Sequence, residues 1–237
     1  ENFKERYTEQ LLMSRGIADV SKYYEPTEEA LQSPIDLENI GEAAMLLEEV
    51  IKLGQRILIV VDSDNDGFTS ATIMYNYLKD LAPELEIDYL LHEGKQHGLQ
   101  DHIKNLMDEG AKYGLIILPD SSSNDYEYHL AFAKKDIEIV VLDHHEAEIV
   151  SPNAIIINNQ LCDYPNKHFC GAGVTWQFCR YLDSLMSTRY AENYIDLVAL
   201  GLVSDMMSLR EIETKHLIFK GFDQKNIHNP FIAEMMR

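Results

Sequence analysis

The chain has 237 residues, of which 46% are hydrophobic and 25% are charged; this composition is typical of a folded protein and excludes a disordered one. Its longest apolar runs, such as Ile57–Val61, are too short to span a bilayer, so we expect no membrane partner. The formal net charge of −20 argues against broad electrostatic binding to nucleic acid, so a polyanionic substrate would need a local basic track or a second, more basic domain.

The chain begins at Glu1 without a charged-then-apolar leader, so we expect a processed chain or a fragment with no secretion signal. Its cysteines, Cys162, Cys170 and Cys179, match no zinc-ribbon or redox spacing. Reduced thiols in a cytoplasmic protein are the expected state, and a site built from Cys162, His168 and Cys170 is the weaker alternative.

Residues 1 to about 50 are predicted to be helical. Tyr7, Leu11, Leu12 and Ile17 are spaced for one helix face. A second apolar set follows at Ile40, Ala43, Leu46, Leu47, Val50 and Ile51.

From residue 56 short β-rich runs alternate with segments of helical character. The predicted strands are Arg56–Val61, Ile87–Leu91, Leu115–Leu118, Ile137–Leu142 and Ala154–Ile157. The predicted helices include Thr69–Leu81, His102–Glu109, about 171–186 and about 191–204. Strands that are apolar on both faces predict an α/β fold, in which a five-stranded, mainly parallel sheet carries helices on both faces after a short helical N-terminal segment. Right-handed crossovers place every strand's carboxyl end at one edge, where such sheets bind ligands.

Acidic side chains and histidines follow these strands. The segments are Asp62-Ser63-Asp64-Asn65-Asp66-Gly67 after the first strand, Pro119-Asp120 after the third, Asp143-His144-His145 after the fourth, and Asp205 after the apolar helix Leu197–Val203. A single aspartate after a strand often only caps the next helix. So many clustered carboxylates would repel one another strongly unless cations neutralised them, and oxygen ligands with imidazole favour Mn²⁺ or Mg²⁺ over zinc.

Two other interpretations of the first motif fit poorly. An EF-hand loop needs Glu at its twelfth position, which is Ile73 here, and a helix rather than a strand before it. The haloacid-dehalogenase phosphatases carry Thr or Val two residues after their second Asp, where this chain has Asp66.

Together the four motifs, in this order, resemble those of the DHH family of phosphoesterases. The likeness covers roughly residues 7 to 220. Three further segments resemble the RecJ-type branch of the family, the single-stranded-DNA exonucleases. They are Arg15-Gly16, His97-Gly98-Leu99 and the run Lys167-His168 through Gly171-Ala172-Gly173-Val174. The resemblance implies a helical segment at 1–45 packed on the core and a DHH domain at 46–225. Residues 226–237 would start a linker or helix towards an absent second domain.

The resemblance also implies two divalent cations, Mn²⁺ or Mg²⁺. The implied metal ligands are Asp62, Asp64 and Asp120 for one ion, and Asp66, Asp120, His144 and Asp205 for the other. His145 would point to the scissile phosphate, and Asp143 would orient an imidazole. Asp120, Asp143 and His145 are therefore the implied catalytic residues.

Two cations ~3.5–4 Å apart can share and deprotonate a water, so a bridging hydroxide would be the nucleophile. The resemblance to RecJ-type enzymes implies 5′→3′ hydrolysis of single-stranded DNA in repair and recombination. It also implies replication or repair proteins as partners that supply affinity for DNA. A hydrolase of short oligonucleotides, cyclic dinucleotides or pyrophosphate is the first alternative. A catalytically silent binding scaffold is the second.

The expected substrate-binding residues are Gly67, Thr69, His168, Gly171 and Gly173. Gly67 permits a close backbone approach, and a helix beginning near Thr69 would offer its amides to a phosphate. An equally open alternative is that Thr69 and Ser70 simply cap that helix. At His168, with Gly171 and Gly173, the alternative to substrate binding is a plain loop-to-helix turn.

The chain departs from the family pattern in three places. Ser121-Ser122 follows Asp120, where the relatives usually carry a glycine two residues after the aspartate. Met206 to Leu209 follow Asp205 without the usual arginine, and no Gly-Gly-His signature of a second domain occurs.

Overall fold

The computed structural model describes residues 3–92, 94, 98–99, 106, 112–148 and 150–237. In the described part of the chain three α-helices precede the first strand: α1 (Phe3–Ser14), α2 (Val20–Tyr24) and α3 (Ile40–Lys52); two short 3-10 helices, Glu28–Ala30 and Pro34–Asp36, lie between α2 and α3. The following elements are β1 (Ile57–Val61), α4 (Asn65–Leu81), β2 (Ile87–Leu91), β3 (Leu115–Pro119), α5 (Tyr126–Ala133), β4 (Glu138–Asp143), β5 (Ile155–Asn158), α6 (Gly171–Met186), α7 (Ile195–Ser204), α8 (Ile212–Gly221) and α9 (Pro230–Met235). Two predicted features lie outside the described residues. They are the helix His102–Glu109, of which only Leu106 is described, and His97, which was part of the resemblance to RecJ-type enzymes.

The five strands form one sheet in the order β2-β1-β3-β4-β5, and every pairing is parallel. The predicted α/β fold is therefore confirmed, and each predicted strand is present to within one residue at either end. The three central strands β1, β3 and β4 lie side by side, so the residues that follow them meet at one edge. In register, Pro119 pairs with Leu142, which brings Asp120 level with Asp143.

Both faces of the sheet are buried, which explains the unbroken apolar runs of its strands. Along β1, Ile57, Ile59 and Val61 pack into a large core with α3, α4, α6 and α7. Leu58 and Val60 point the other way, into a smaller core that includes Phe132 of α5. Among the described residues, no helix combines the length and hydrophobicity needed to cross a bilayer.

The N-terminal helices differ in how they pack. The predicted apolar set of α3 is confirmed, because its members are buried or packed against the core. In α1, by contrast, Tyr7 and Leu11 are exposed, and burial starts at Ile17 beyond the helix end. The Nζ of Lys215 in α8 donates a hydrogen bond to the carbonyl of Tyr23 and lies 3.5 Å from the centroid of the Tyr23 ring. These contacts hold α2 against α8. The helix α3 runs without a break across residues 45 and 46, where the sequence predicted a division between an N-terminal segment and the DHH domain. That division stays a prediction.

Candidate metal centre

The carboxyl edge of the sheet gathers all of the predicted metal ligands. In each of three groups the potential ligand atoms lie within 4.8 Å of one another. The groups are Asp62, Asp64 and Asp120; Asp66, His144 and Asp205; and Asp120, Asp143, His144 and His145. Asp120 and His144 each belong to two groups, so the three form one continuous cluster.

The N-terminus of α4 supplies two of these carboxylates. Asp64 is the N-cap, and its Oδ1 accepts a hydrogen bond from the amide of Gly67 at 2.9 Å. The helix therefore begins at Asn65 rather than near Thr69, and the alternative in which Thr69 or Ser70 caps it is wrong. The Thr69 hydroxyl instead donates to the carbonyl of Asp66 at 3.0 Å.

Asp66 is buried in the first turn of α4 and faces the N-terminus of α6. Its Oδ2 accepts from the amide of Gly171 at 2.6 Å, and its Oδ1 from that of Ala172 at 3.1 Å. A helix N-terminus stabilises an anion in this position. The amide of Gly171 is thus bonded to the protein's own carboxylate, which leaves its predicted contact with substrate unsupported.

The other predicted substrate-binding residues are best described by their neighbours. A Cβ on Gly67 would lie 2.5 Å from Cβ of Asp62, and one on Gly171 would lie 2.3 Å from Oδ1 of Asp120. Gly173 lies against the ring of Phe169, whereas the side chain of His168 is exposed. The glycines therefore have packing roles in the structure, and substrate contact at these positions stays a prediction.

Asp120 occupies the middle of the cluster. Its backbone has a left-handed φ of 65°, and its carboxylate is 1% exposed. Neither carboxylate oxygen has a hydrogen-bond partner in the described part of the chain, although Nε2 of His144 approaches Oδ1 to 3.1 Å. Burial, reinforced by the neighbouring charge of Asp66, raises the pKa of Asp120 far above its ordinary value. Keeping this carboxylate ionised therefore requires cations close to it.

His144 faces the same point from the end of β4. Its Nε2 lies 3.1 Å from Oδ1 of Asp120, 3.7 Å from Oδ2 of Asp205 and 3.8 Å from Oδ2 of Asp66. Burial raises the pKa of Asp205 despite the opposing effect of His144. One imidazole nitrogen surrounded by carboxylate oxygens is a donor set that suits Mn²⁺ or Mg²⁺.

Asp143 holds the loop after β4. Its Oδ1 accepts hydrogen bonds from the His144 amide at 2.7 Å and from Nδ1 of His145 at 2.7 Å. Its Oδ2 accepts from the Ser123 amide at 3.0 Å. Burial is the largest single effect and acts to raise the pKa of Asp143, but the hydrogen bonds from His145 and Ser123 and the charge of His145 together outweigh it, and the pKa falls to about 2. The hydrogen bond to Asp143 raises the pKa of His145 to about 9.

Three residues that shape the centre were not predicted from the sequence: Ser123, Asn158 and Gly201. Asn158 ends β5 and donates from Nδ2 to the Ser123 hydroxyl at 2.9 Å and to the His145 carbonyl at 2.8 Å. A polar residue at the end of a strand was the signal that could have found it. Gly201 borders Asp66, and a lone glycine within an apolar helix was its only sign.

Of the cysteines, Cys170 adjoins the centre, because burial and then the charge of Asp66 raise the pKa of its thiol. Cys162, Cys170 and Cys179 are buried free thiols, as expected for the reduced state. A site of Cys162, His168 and Cys170 is not among the candidate metal groups formed by the described residues.

Comparison with known proteins identifies the family. The family model described as the DHH family, N-terminal domain, matches residues 56–202, which include every motif residue from Asp62 to His145. The chain belongs to the DHH family. Asp205, the last predicted ligand, lies just beyond the matched range.

Curated DHH-family relatives are longer than this chain. The SPbeta prophage-derived YorK of Bacillus subtilis (strain 168), described by name as a single-strand DNA-specific exonuclease, is 35% identical over 96% of this chain and 38% of its own length. The single-stranded-DNA-specific exonuclease RecJ of the same organism is 25% identical over 85% of this chain and 26% of its own length. The chain thus spans about two fifths or less of these two relatives.

A solved structure shares the fold of this DHH-family chain. The crystal structure of RecJ in complex with Mn²⁺ from Thermus thermophilus aligns with a TM-score of 0.69 and 23% sequence identity. The alignment covers 80% of this chain and 27% of that chain.

Proposed function

We propose that this chain forms the catalytic part of a metal-dependent phosphodiesterase, a RecJ-like 5′→3′ exonuclease acting on single-stranded DNA. The observation that carries the proposal is Asp120, a buried carboxylate without a hydrogen-bond partner among the described residues, shared by two groups of potential metal ligands. YorK and RecJ, both named as single-strand DNA exonucleases, support the substrate. The RecJ structure with Mn²⁺ supports the cofactor.

Two divalent cations, Mn²⁺ or Mg²⁺, fit this donor set. The first would be held by Asp62, Asp64 and Asp120, which form one of the compact groups. The second would be held by Asp66, His144 and Asp205, again with Asp120 at its border. Bound there, the cations would supply Lewis-acid stabilisation of charge at phosphorus and activation of water.

The protein's own contribution is to orient groups around that charge. Asp143 fixes the His145 ring through Nδ1, so Nε2 remains available to donate to a phosphate oxygen. The Asn158 amide holds the His145 carbonyl and, through Ser123, the loop after β3. Orientation of this kind lowers the entropic cost of reaching the transition state.

The net charge of −20 bears on how the substrate is reached. A strongly acidic chain gains little from counterion release on DNA, so affinity has to come from elsewhere. We propose that replication or repair proteins, or further sequence such as the remaining part of its longer relatives, supply it. A cytoplasmic location is part of the same proposal and agrees with the free thiols.

The test is digestion of single-stranded DNA labelled at the 5′ or 3′ end, with Mn²⁺ and with EDTA. Wild type should release mononucleotides from the 5′ end only with metal, and Asp120→Asn should be inactive. Asp136→Asn is the matched control, because Asp136 also has a left-handed φ, 56°, but is exposed at the amino end of β4. Asparagine tolerates that backbone region, so neither substitution adds strain.

Other results would redirect the assignment. Hydrolysis of dinucleotides or pyrophosphate without digestion of DNA would identify the small-substrate alternative. Binding of DNA without hydrolysis of any of these substrates, with Mn²⁺ bound, would identify a scaffold.

A further inference from the structure

A cavity of roughly 450 Å³ opens beside the candidate metal centre. Its wall is the loop 121–125 that follows β3, and Asp120 and His145 line it from the side of the centre. The volume falls within the ~300–1,000 Å³ that is usual for small-molecule pockets. Because the cavity shares Asp120, Asp143 and His145 with the centre, it lies within reach of the group that is attached to a phosphate bound there.

Two serine hydroxyls in this wall have no hydrogen-bond partner among the described residues. Ser121 is 5% exposed, and its Oγ is unpaired within the described part of the chain. The Oγ of Ser122 is likewise buried and unpaired there. The next residue behaves differently, because the Ser123 hydroxyl accepts a hydrogen bond from Asn158. Buried hydroxyls are normally satisfied, so these two indicate a ligand that would satisfy them.

Ser122 also has an unfavourable backbone conformation. Its φ of 79° lies in the left-handed region, which glycine adopts freely and serine does not. An unpaired hydroxyl and a strained backbone at one residue both destabilise the fold. Such strain is characteristic of functional sites.

The charge of the cavity decides which part of a substrate it takes. Among the described residues that line it, Asp125 and Glu146 lie away from the centre, none is lysine or arginine, and the cationic His145 stands only at the border with the centre. These carboxylates would repel a phosphate, whereas the sugar and base of a nucleotide are neutral and carry hydrogen-bonding groups. We propose that the cavity binds the nucleoside whose phosphate lies at the metal centre, and that Ser121 and Ser122 position it through their hydroxyls. The inference rests on the proposed function for the place of that phosphate.

The test compares two ligands on the Mn²⁺-loaded chain by calorimetry, deoxythymidine monophosphate and inorganic phosphate. Wild type should bind the nucleotide more tightly than phosphate. Ser121→Ala and Ser122→Ala should each weaken nucleotide binding about 2- to 10-fold, the size of one neutral hydrogen bond, and leave phosphate binding unchanged. Ser184→Ala is the control, because the exposed Ser184 hydroxyl only donates to the carbonyl of Tyr181.

Ser122→Gly separates function from folding. It should raise the melting temperature, because it removes the left-handed strain, and still lose as much nucleotide affinity as Ser122→Ala. A purely structural serine could not give higher stability with weaker nucleotide binding.

Three outcomes would overturn the inference. The first is that wild type binds the two ligands with equal affinity. The second is that the serine variants bind the nucleotide as tightly as wild type does. The third is that the serine variants lose affinity for the nucleotide and for phosphate equally. Digestion of DNA by wild type, measured in parallel, keeps the two proposals apart. Loss of nucleotide preference in the variants of a chain that cannot digest DNA would support the pocket and reject the nuclease. Digestion of DNA by wild type, together with an unchanged nucleotide preference in the serine variants, would support the nuclease and reject the pocket.

Discussion

A Cβ atom on Gly201 would lie 2.4 Å from Oδ1 of Asp66, so this carboxylate fits the metal centre only because residue 201 has no side chain. On its other side Asp66 is held by the amides of Gly171 and Ala172. The position of one potential ligand is therefore set by α6 and α7 together, far from Asp66 in sequence.

We expect Gly201→Ala to weaken Mn²⁺ binding about 10-fold or more. The added methyl group would also lie 2.7 Å from Cβ of Ala172 and 2.9 Å from Oγ1 of Thr69, so Asp66 has to move. Displaced ligands commonly lose metal affinity on this scale. Calorimetric titration with Mn²⁺ measures the effect.

Gly41→Ala is the matched control for that variant. Its Cβ would meet only the Tyr181 hydroxyl oxygen, at 3.3 Å, and alanine favours the helix α3 in which Gly41 lies. Equal Mn²⁺ affinity in Gly201→Ala and Gly41→Ala would contradict the packing argument.

Asp143→Asn should reduce the rate of phosphodiester hydrolysis about 10- to 100-fold. Asparagine keeps one acceptor oxygen, so it can accept either from the Ser123 amide or from the His144 amide and Nδ1 of His145, but not from both sides. Its NH2 group then faces a donor on the other side, which loosens the loop and with it the orientation of the His145 ring. Initial rates at saturating DNA, compared with Mn²⁺ affinity, measure this effect.

The double variant Asp143→Asn, His145→Gln distinguishes orientation from general damage. If Asp143 acts through His145, the double variant should be about as slow as His145→Gln alone. Multiplicative losses, or complete loss of Mn²⁺ binding in Asp143→Asn, would show that Asp143 has a different role.

Removal of metal should reverse the stability order of wild type and Asp120→Asn. In EDTA the variant should be the more stable protein, because it removes a buried carboxylate that lies among others. With Mn²⁺ at a hundred times its Kd, wild type should gain about 2.7 kcal/mol in free energy of unfolding and the variant much less. Urea denaturation measures both. Asp136→Asn should follow wild type under both conditions, and an unchanged order would contradict the metal site.

The strand ends could be read from the sequence because they depend on local patterns. Apolar runs predicted β1, β3 and β4, and parallel topology alone then brought Asp62, Asp120 and Asp143 to one edge. The start of α4 was misplaced, because three acidic residues at 62, 64 and 66 gave no sign of which one caps the helix.

Long-range packing explains most of what the sequence did not reveal. The contact of Gly201 with Asp66 joins α7 to α4, and no local pattern encodes it. The left-handed φ of Ser122 could not be read from the serine itself, and its one sign was the glycine that relatives usually carry at this place. The glycines at 67 and 171 were noticed as substrate contacts, but their nearest neighbours are Asp62 and Asp120.

His129 predicts a pH-dependent loss of stability that is independent of the metal centre. It is fully buried in α5, and neither ring nitrogen has a hydrogen-bond partner among the described residues. Burial lowers its pKa below the ordinary 6.5. As the pH falls below about 6.5, the unfolded chain takes up a proton that folded His129 does not. Stability is therefore present above that pH and lost below it.

His129→Leu should remove this part of the pH dependence and raise the free energy of unfolding at pH 7.5 by about 1 kcal/mol, because leucine leaves no buried nitrogen unpaired. Urea denaturation in EDTA at pH 7.5, 6.5 and 5.5 measures both effects, with His168→Leu, whose replaced ring is exposed, as the control. The control should lose stability on acidification as wild type does, and His129→Leu should lose less. Parallel loss in all three proteins would mean that the folded state protonates His129 as readily as the unfolded chain.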